Sequence, residues 1–226
     1  MNKHAIRLLV TLAASAFTLT TAGIAAQWDV LFDGSSTAKF RGFKKTEFPT
    51  KGWAVEKDTL RVIAGGGGGD LVTKEKYTDF ELRFEWKVSS KANSGVMYRV
   101  SEDGSAPYET GPEYQVTDDL KHPDGKNPKT SAAALYALIA CNGSKALKPV
   151  GKWNQARIIV KGNHVEHWLN KEKVVEYELN SPELTKLIAE SKFKGWSGFA
   201  KQASGHICLQ DHGDDVWYRK IKIRKL

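Results

Sequence analysis

The chain has 226 residues, 34 Lys and Arg against 26 Asp and Glu, a formal charge of +8, and two cysteines. The cations are scattered and form no long basic run, which argues against a nucleic-acid surface. Two cysteines are too few for a zinc framework or a disulfide scaffold.

The first 25 residues read as a secretory signal peptide. Lys3 and Arg7 precede an uncharged run from Leu8 to Ala22, and Gly23, Ala25 and Ala26 suit signal peptidase. The run is short for a spanning helix, no stop-transfer pattern follows, and no Cys follows to take a lipid anchor. Cleavage after Ala25 or Ala26 predicts a soluble periplasmic or secreted domain over residues 26–226. Its size, about 200 residues, suits one domain with a full core. Its charge, without Lys3 and Arg7, is about +6. No later segment is apolar enough to cross a bilayer.

From there the pattern is β. Trp53 to Glu56 and Thr59 to Ile63 make a hairpin around Lys57-Asp58. Gly65 to Gly69 lacks the Lys-Ser/Thr and following helix of a phosphate loop, and reads as a hairpin or edge loop. Phe80 to Val88 alternates over its length with every charge on one face. Its Glu81, Arg83, Glu85 and Lys87 fit either cross-strand ion pairs or a concave polar face. In the strand Ser94 to Val100, Arg99 lies among apolar neighbours and needs a carboxylate or a ligand.

The segment Gly111-Pro112-Glu113-Tyr114-Gln115-Val116-Thr117 is the most site-like. Glu113 and Gln115 share one face, about 7 Å apart, and Tyr114 and Val116 share the other. A loop rich in carboxylates and His follows, with Asp118, Asp119, His122 and Asp124. Arg157 to Val160 and His164 to Leu169 flank Lys161-Gly162-Asn163, and Val174 to Leu179 pairs back across Asn170-Lys171. His167 shares a face with Val165 and Leu169. It is a satisfied core residue or, beside a second acid, a proton-transfer group.

A helix begins at Ser181 as N-cap with Pro182 and Glu183 in its first turn, and Leu184, Leu187 and Ile188 form its apolar stripe. The chain closes with strands His206 to Gln210 and Val216 to Arg224. His206, Cys208, Gln210 and His212 share one face, which suits a pocket better than a solvated surface. Cys141 and Cys208 either pair, as an oxidising compartment permits, or Cys208 is a buried thiol. Most of the tryptophans are expected in the core. The whole reads as an all-β sandwich or jelly roll with one connecting helix.

Several motifs together resemble the 3-keto-disaccharide hydrolase domain family. They are Leu31-Phe32-Asp33-Gly34, Asn93-Ser94-Gly95-Val96, Gly111 to Val116 with His122-Pro123, Lys148 to Asn154, His167-Trp168-Leu169-Asn170, and Gly205 to Gly213. The resemblance runs in order along nearly the whole mature chain. Two departures are Lys171, where the family usually has Gly, and Lys220, where it usually has Asn.

The resemblance implies a concanavalin A-like jelly roll of two antiparallel sheets, acting on glycosides already oxidised to a ketone at C3. A C3 ketone acidifies the C2 proton, and the resulting enolate expels the C1 alkoxide before water adds. Such chemistry needs a base, donors for the enolate oxygen, and an acid for the leaving group. The expected proton-transfer pair is Glu113 and His167. Arg99, Gln115, Gln210 and His212 are expected to bind the oxyanion and hydroxyls, with Asp118 and Glu85 also contacting substrate. If C1 were displaced directly, Glu85 or Asp118 would be the second carboxylate opposite Glu113. A divalent metal held by Glu113, His167 or Asp118 would serve the enolate equally well, so the cofactor stays open. The expected partner is a carbohydrate, with neither nucleic acid nor membrane anchor. The alternative is a non-catalytic, lectin-like carbohydrate-binding module.

Overall fold

The structure is a computed structural model describing Met1 and residues 27–226, so the expected signal peptide lies outside the described residues apart from Met1. Alternation of apolar and polar residues sets nearly every strand. β1 (Asp29–Phe32), β3 (Trp53–Glu56), β4 (Thr59–Val62), β6 (Phe80–Val88), β9 (Asn154–Lys161), β10 (His164–Leu169), β11 (Glu172–Glu178) and β13 (Val216–Lys225) form the larger sheet. Its order is β11-β10-β9-β6-β13-β4-β3, with β1 also on β13. The smaller sheet contains β2 (Phe40–Gly42), β5 (Leu71–Thr73), β7 (Asn93–Val100), β8 (Glu113–Thr117) and β12 (His206–Leu209) in the order β2-β5-β12-β7-β8.

The inward residues of the two sheets fill the space between them. Phe84 and Trp86 of β6, Ile158 of β9 and Tyr218 of β13 face Val96, Tyr98, Tyr114 and Leu209. The Phe84 and Tyr114 rings meet edge to face at 5.7 Å. Each large side chain buried this way contributes about 1.5–3 kcal/mol. The helix expected after Ser181 is α1 (Pro182–Ala189). The Ser181 hydroxyl accepts from Leu184 N–H at 3.0 Å, and Leu184 packs on the core. No helix of the described residues is long and apolar enough to cross a membrane.

Irregularities matter more here than the regular parts. The Asn170-Lys171 turn between β10 and β11 has φ of 48° and 77°. This is the mirror-type hairpin turn that Asn-Gly adopts with least strain, which gives a physical reason for Gly at the position Lys171 occupies. In β13 a bulge sets Arg219 against Glu85 but Lys222 against Arg83, with Lys220 at φ 51°. A bulge in β7 leaves Cys208 opposite Met97 but His206 opposite Val100, with Arg99 at φ 51°.

The outer face of the larger sheet corrects the expectation for tryptophan. Trp53 and Trp86 are buried, but Trp28, Trp153, Trp168 and Trp217 are half-buried there under cations. Arg83 and Arg224 cover Trp28, Arg157 covers Trp168, Arg219 covers Trp153 and Arg61 covers Trp217, at 4.1–5.3 Å from the ring centres. The stems of Arg and Lys shield the ring while the charge stays wet, so a core position is not required. Glu81 is buried beneath Arg83, Arg157 and Arg224. Both cysteines are free, and Cys208 is buried beside Val72 and Met97.

Candidate functional site

Antiparallel register brings one set of side chains together on the outer face of the smaller sheet. Val72, Cys208, Met97 and Glu113 form one row across β5, β12, β7 and β8. One pleat along, Gly95 pairs with Gln115, and Gln210 N–H donates to Gly95 O at 3.0 Å. Asn93, another pleat on, pairs with Thr117. Glu113 leans over Gly95 so closely that a Cβ there would lie 1.9 Å from Glu113 Oε1. Only a bare glycine leaves room for the carboxyl.

Loops build the rim. Tyr136 N–H donates to Glu113 O at 3.1 Å, which extends the sheet edge past β8. The Tyr136 hydroxyl donates to Asp124 Oδ2 at 3.2 Å, and Asn93 Nδ2 donates to the same oxygen at 3.3 Å. Lys192 Nζ lies 4.2 Å from the centre of the Tyr136 ring. Asp70, at the start of β5, accepts from Asp211 N–H at 2.8 Å. His122 and His212 approach to 6.3 Å between ring centres.

The polar groups of this face are only partly satisfied. Glu113 is 7% exposed, and no donor among the described residues hydrogen-bonds its carboxyl. Burial pushes that carboxyl up to about 8; the Lys192 ammonium opposes the shift, and the charges of Asp70 and Asp124 add to it. Burial also raises Asp70 to about 6, against the Asp211 N–H and with the Asp211 charge. Asn93 is 4% exposed, and its Oδ1 is buried with no hydrogen-bond partner in the protein. A carboxyl that holds a proton near neutrality, on the same sheet face as an orphaned amide oxygen, is equipped to exchange a proton with a bound molecule.

Residues 27–224 match the model of a family described as the 3-keto-alpha-glucoside-1,2-lyase-like domain. The chain belongs to this family. A 3-keto-disaccharide hydrolase of Bacteroides thetaiotaomicron is 37% identical over 87% of this chain and 77% of its own length. A Parabacteroides distasonis crystal structure, provisionally assigned as a glycosyl hydrolase, superposes with a TM-score of 0.80 at 31% identity, covering 88% of this chain and 94% of that one. The carbohydrate-binding module CBM66 of Bacillus subtilis shares the fold alone, with a TM-score of 0.50 at 12% identity over 78% of this chain and 92% of its own.

Within this member of the family, the expected residues divide. Glu113, Gln210 and the exposed His212 lie on or beside the outer face of the smaller sheet. His167 does not join them, and the expected pairing with Glu113 is corrected. It is fully buried between the sheets, 5.0 Å from the Tyr114 ring, on the opposite side of β8 from Glu113. Its Nδ1–H donates to Ala133 O at 3.0 Å and its Nε2 accepts from the Tyr98 hydroxyl at 2.9 Å. Burial, against the Ala133 bond, lowers it to about 4, so it stays neutral.

The other expected contacts are occupied by the fold. Because of its bulge, Arg99 turns to the end of the sandwich, where Nη2 donates to Thr78 O at 3.0 Å and Gly162 O at 2.9 Å. Gln115 shares the Glu113 face, but its amide donates to Thr130 O and accepts from Val116 N–H, fastening the loop beside β8. Asp118 accepts from Lys91, Leu120 and Lys121 N–H. Glu85 lies on the outer face of the larger sheet, bound by Arg219 at 2.7 Å and Lys220 at 3.2 Å. Neither Glu85 nor Asp118 stands opposite Glu113, and Glu113, His167 and Asp118 do not converge as a metal set. Among the described residues, His164, Glu166 and Glu176 do place ligand atoms within 4.8 Å of one another. Lys173 already pairs with both of those carboxylates.

Asp70, Tyr136 and Lys192 went unremarked in the sequence, as did the roles of Asn93 and Gly95. Asn93 and Gly95 were visible inside the Asn93-Ser94-Gly95 motif. Tyr136, in a loop, and Lys192, at the start of a short 3-10 helix (Lys192–Gly195), lie far apart in the chain, and no local pattern marks them.

Proposed function

We propose that the chain is a glycoside-cleaving enzyme acting on 3-keto-glycosides, and that Glu113 removes the C2 proton. Family membership and the hydrolase relative support the substrate class. The observation that carries the mechanism is the unpaired, buried Glu113 carboxyl, raised to about 8. As base it takes H–C2; the bonding pair forms the C2–C3 double bond of an enolate, and the C3 oxygen gains the charge. Collapse of the enolate re-forms the ketone, makes C1=C2 and releases the C1 alkoxide, which takes up a proton. Water adding at C1 completes hydrolysis; without it the reaction ends as a lyase. The Lys192 ammonium is the group on this face suited to the enolate oxygen, and the free Asn93 Oδ1 can accept from a hydroxyl. His167 has no part in it. Export of the mature domain belongs to the same reading, and protein from its host that still began at Met1 would oppose it.

Glu113→Gln keeps the shape and removes the base. Turnover of a 3-keto-glycoside is expected to fall by about 10²–10⁴-fold with binding largely kept. In the wild type kcat/KM should rise with pH through about 8, because the carboxyl must lose its proton to act. Deuterium at C2 should slow turnover or wash into solvent. Normal turnover with C2 deuterium retained and no isotope effect would rule elimination out. A lectin-like module would release no aglycone at all.

A further inference from the structure

A cavity of 580 Å³ opens on the outer face of the larger sheet, across the sandwich from Glu113. The exposed Val30 and the half-buried Trp168 supply its apolar wall, while Phe32, Phe84 and Ile221 lie beneath it in the core. Arg83, Arg157, Lys171, Lys220 and Lys222 also line it, against two acids, Asp33 and Glu85. Both acids are already engaged. Asp33 Oδ1 accepts from Ser35 and Ser36 N–H, and Glu85 is held by Arg219 and Lys220. Lys171 and Lys222 have no ion-pair partner among the described residues. The cavity therefore carries uncompensated positive charge beside the apolar patch of Val30 and Trp168.

The backbone makes this harder to dismiss as a solvated face. Lys171 stands in the β10–β11 turn at φ 77° and Lys220 in the β13 bulge at φ 51°. Side chains rarely adopt this region without strain, and observed strain is a fair pointer to function. Two independent irregularities of the backbone both carry lysine, and both lysines line the same cavity. Gln155 lies beside them, its amide nitrogen no closer than 3.5 Å to Glu85, which leaves it able to meet hydroxyls.

We infer that this cavity binds an acidic saccharide. Val30 and Trp168 take the C–H face of the ring, Gln155 takes hydroxyls, and Lys171 holds a carboxylate or sulfate together with Lys220, which turns from Glu85 and leaves it to Arg219. A cavity of this size is within the usual range for small-molecule sites. The site is separate from the Glu113 face and does not depend on what is cleaved there.

Digalacturonate, neutral galactobiose and inorganic sulfate are titrated calorimetrically against wild type, a Lys171→Gly/Lys220→Asn variant and Glu113→Gln. Gly and Asn both tolerate positive φ, so the double variant should fold, and its circular dichroism and glycoside cleavage should be unchanged. Digalacturonate is expected to bind wild type and Glu113→Gln alike and the double variant about tenfold more weakly. Binding should be largely lost at about 0.5 M salt. No digalacturonate binding, equal binding by the double variant, or equal binding of galactobiose would overturn the site. Sulfate binding as tightly as digalacturonate would reduce it to a free-anion site and overturn the saccharide assignment.

Discussion

Glu113 owes its chemistry to what is missing around it. Gly95 supplies space and no donor, so the carboxyl is buried without the hydrogen bonds that would make its charge cheap to hold. Gly95→Ala would drive a methyl into Glu113 Oε1. The side chain must then swing away, and turnover is expected to fall at least tenfold with little loss of folded protein, as read by kcat and thermal unfolding on the same sample. The raised proton affinity also bears on stability. The folded carboxyl titrates near 8 and an ordinary Glu at 4.5, so between those values the native state holds the extra proton. Stability from this group is complete at low pH and declines as pH climbs through that window. Each unit of separation is worth about 1.4 kcal/mol. Glu113→Gln should therefore match wild type near about pH 5 and melt higher than wild type near about pH 9. Equal melting temperatures at both would mean that the carboxyl is less isolated than its surroundings indicate.

Strands and turns carried most of the information readable beforehand. Alternation marks β6, β10 and β13 because each has one dry face, and Ser181-Pro182-Glu183 marks α1 because a helix start has its own chemistry. Alternation also put His167 with Val165 and Leu169, and the core reading of that face is the one the structure follows. Period-two patterning does not tell which sheet a strand joins, nor which side of that sheet faces the core. Glu113 and His167 could thus look like partners while β8 stands between them. Arg99 misleads for another reason: a bulge, invisible in the pattern, turns it off its expected face. The turns make their own prediction. Lys171 at φ 77° occupies a position suited to Gly, and Lys171→Gly should raise stability by about 0.5–1 kcal/mol in chemical denaturation, relief of strain outweighing added chain entropy. A loss of stability would show that the lysine stem is held by packing.

For the whole molecule, the two outer faces have opposite characters. One gathers the carboxyls of Asp70, Glu113 and Asp124; the other stacks Arg and Lys on Trp. Between them, the larger sheet depends on β13, which pairs with β6 on one side and with β4 and β1 on the other. Deleting residues 216–226 would leave β6 and β4 without their shared neighbour and expose Leu60, Val62 and Leu82. The truncated chain is expected to be recovered unfolded or aggregated, with its strand circular dichroism and cooperative melting lost; a cooperative transition would show that the rest of the sandwich can close without it.

The position of β13 also sets an order of events during synthesis. β13, the last strand of this domain, belongs in the middle of the larger sheet, and it must meet β1 from the start of the domain, almost 200 residues earlier by strand position. Until it arrives, no partial chain can complete the sheet, however many strands have already emerged. The nascent domain stays open until β13 has emerged, available to any factor that escorts it, and then closes in a single late step.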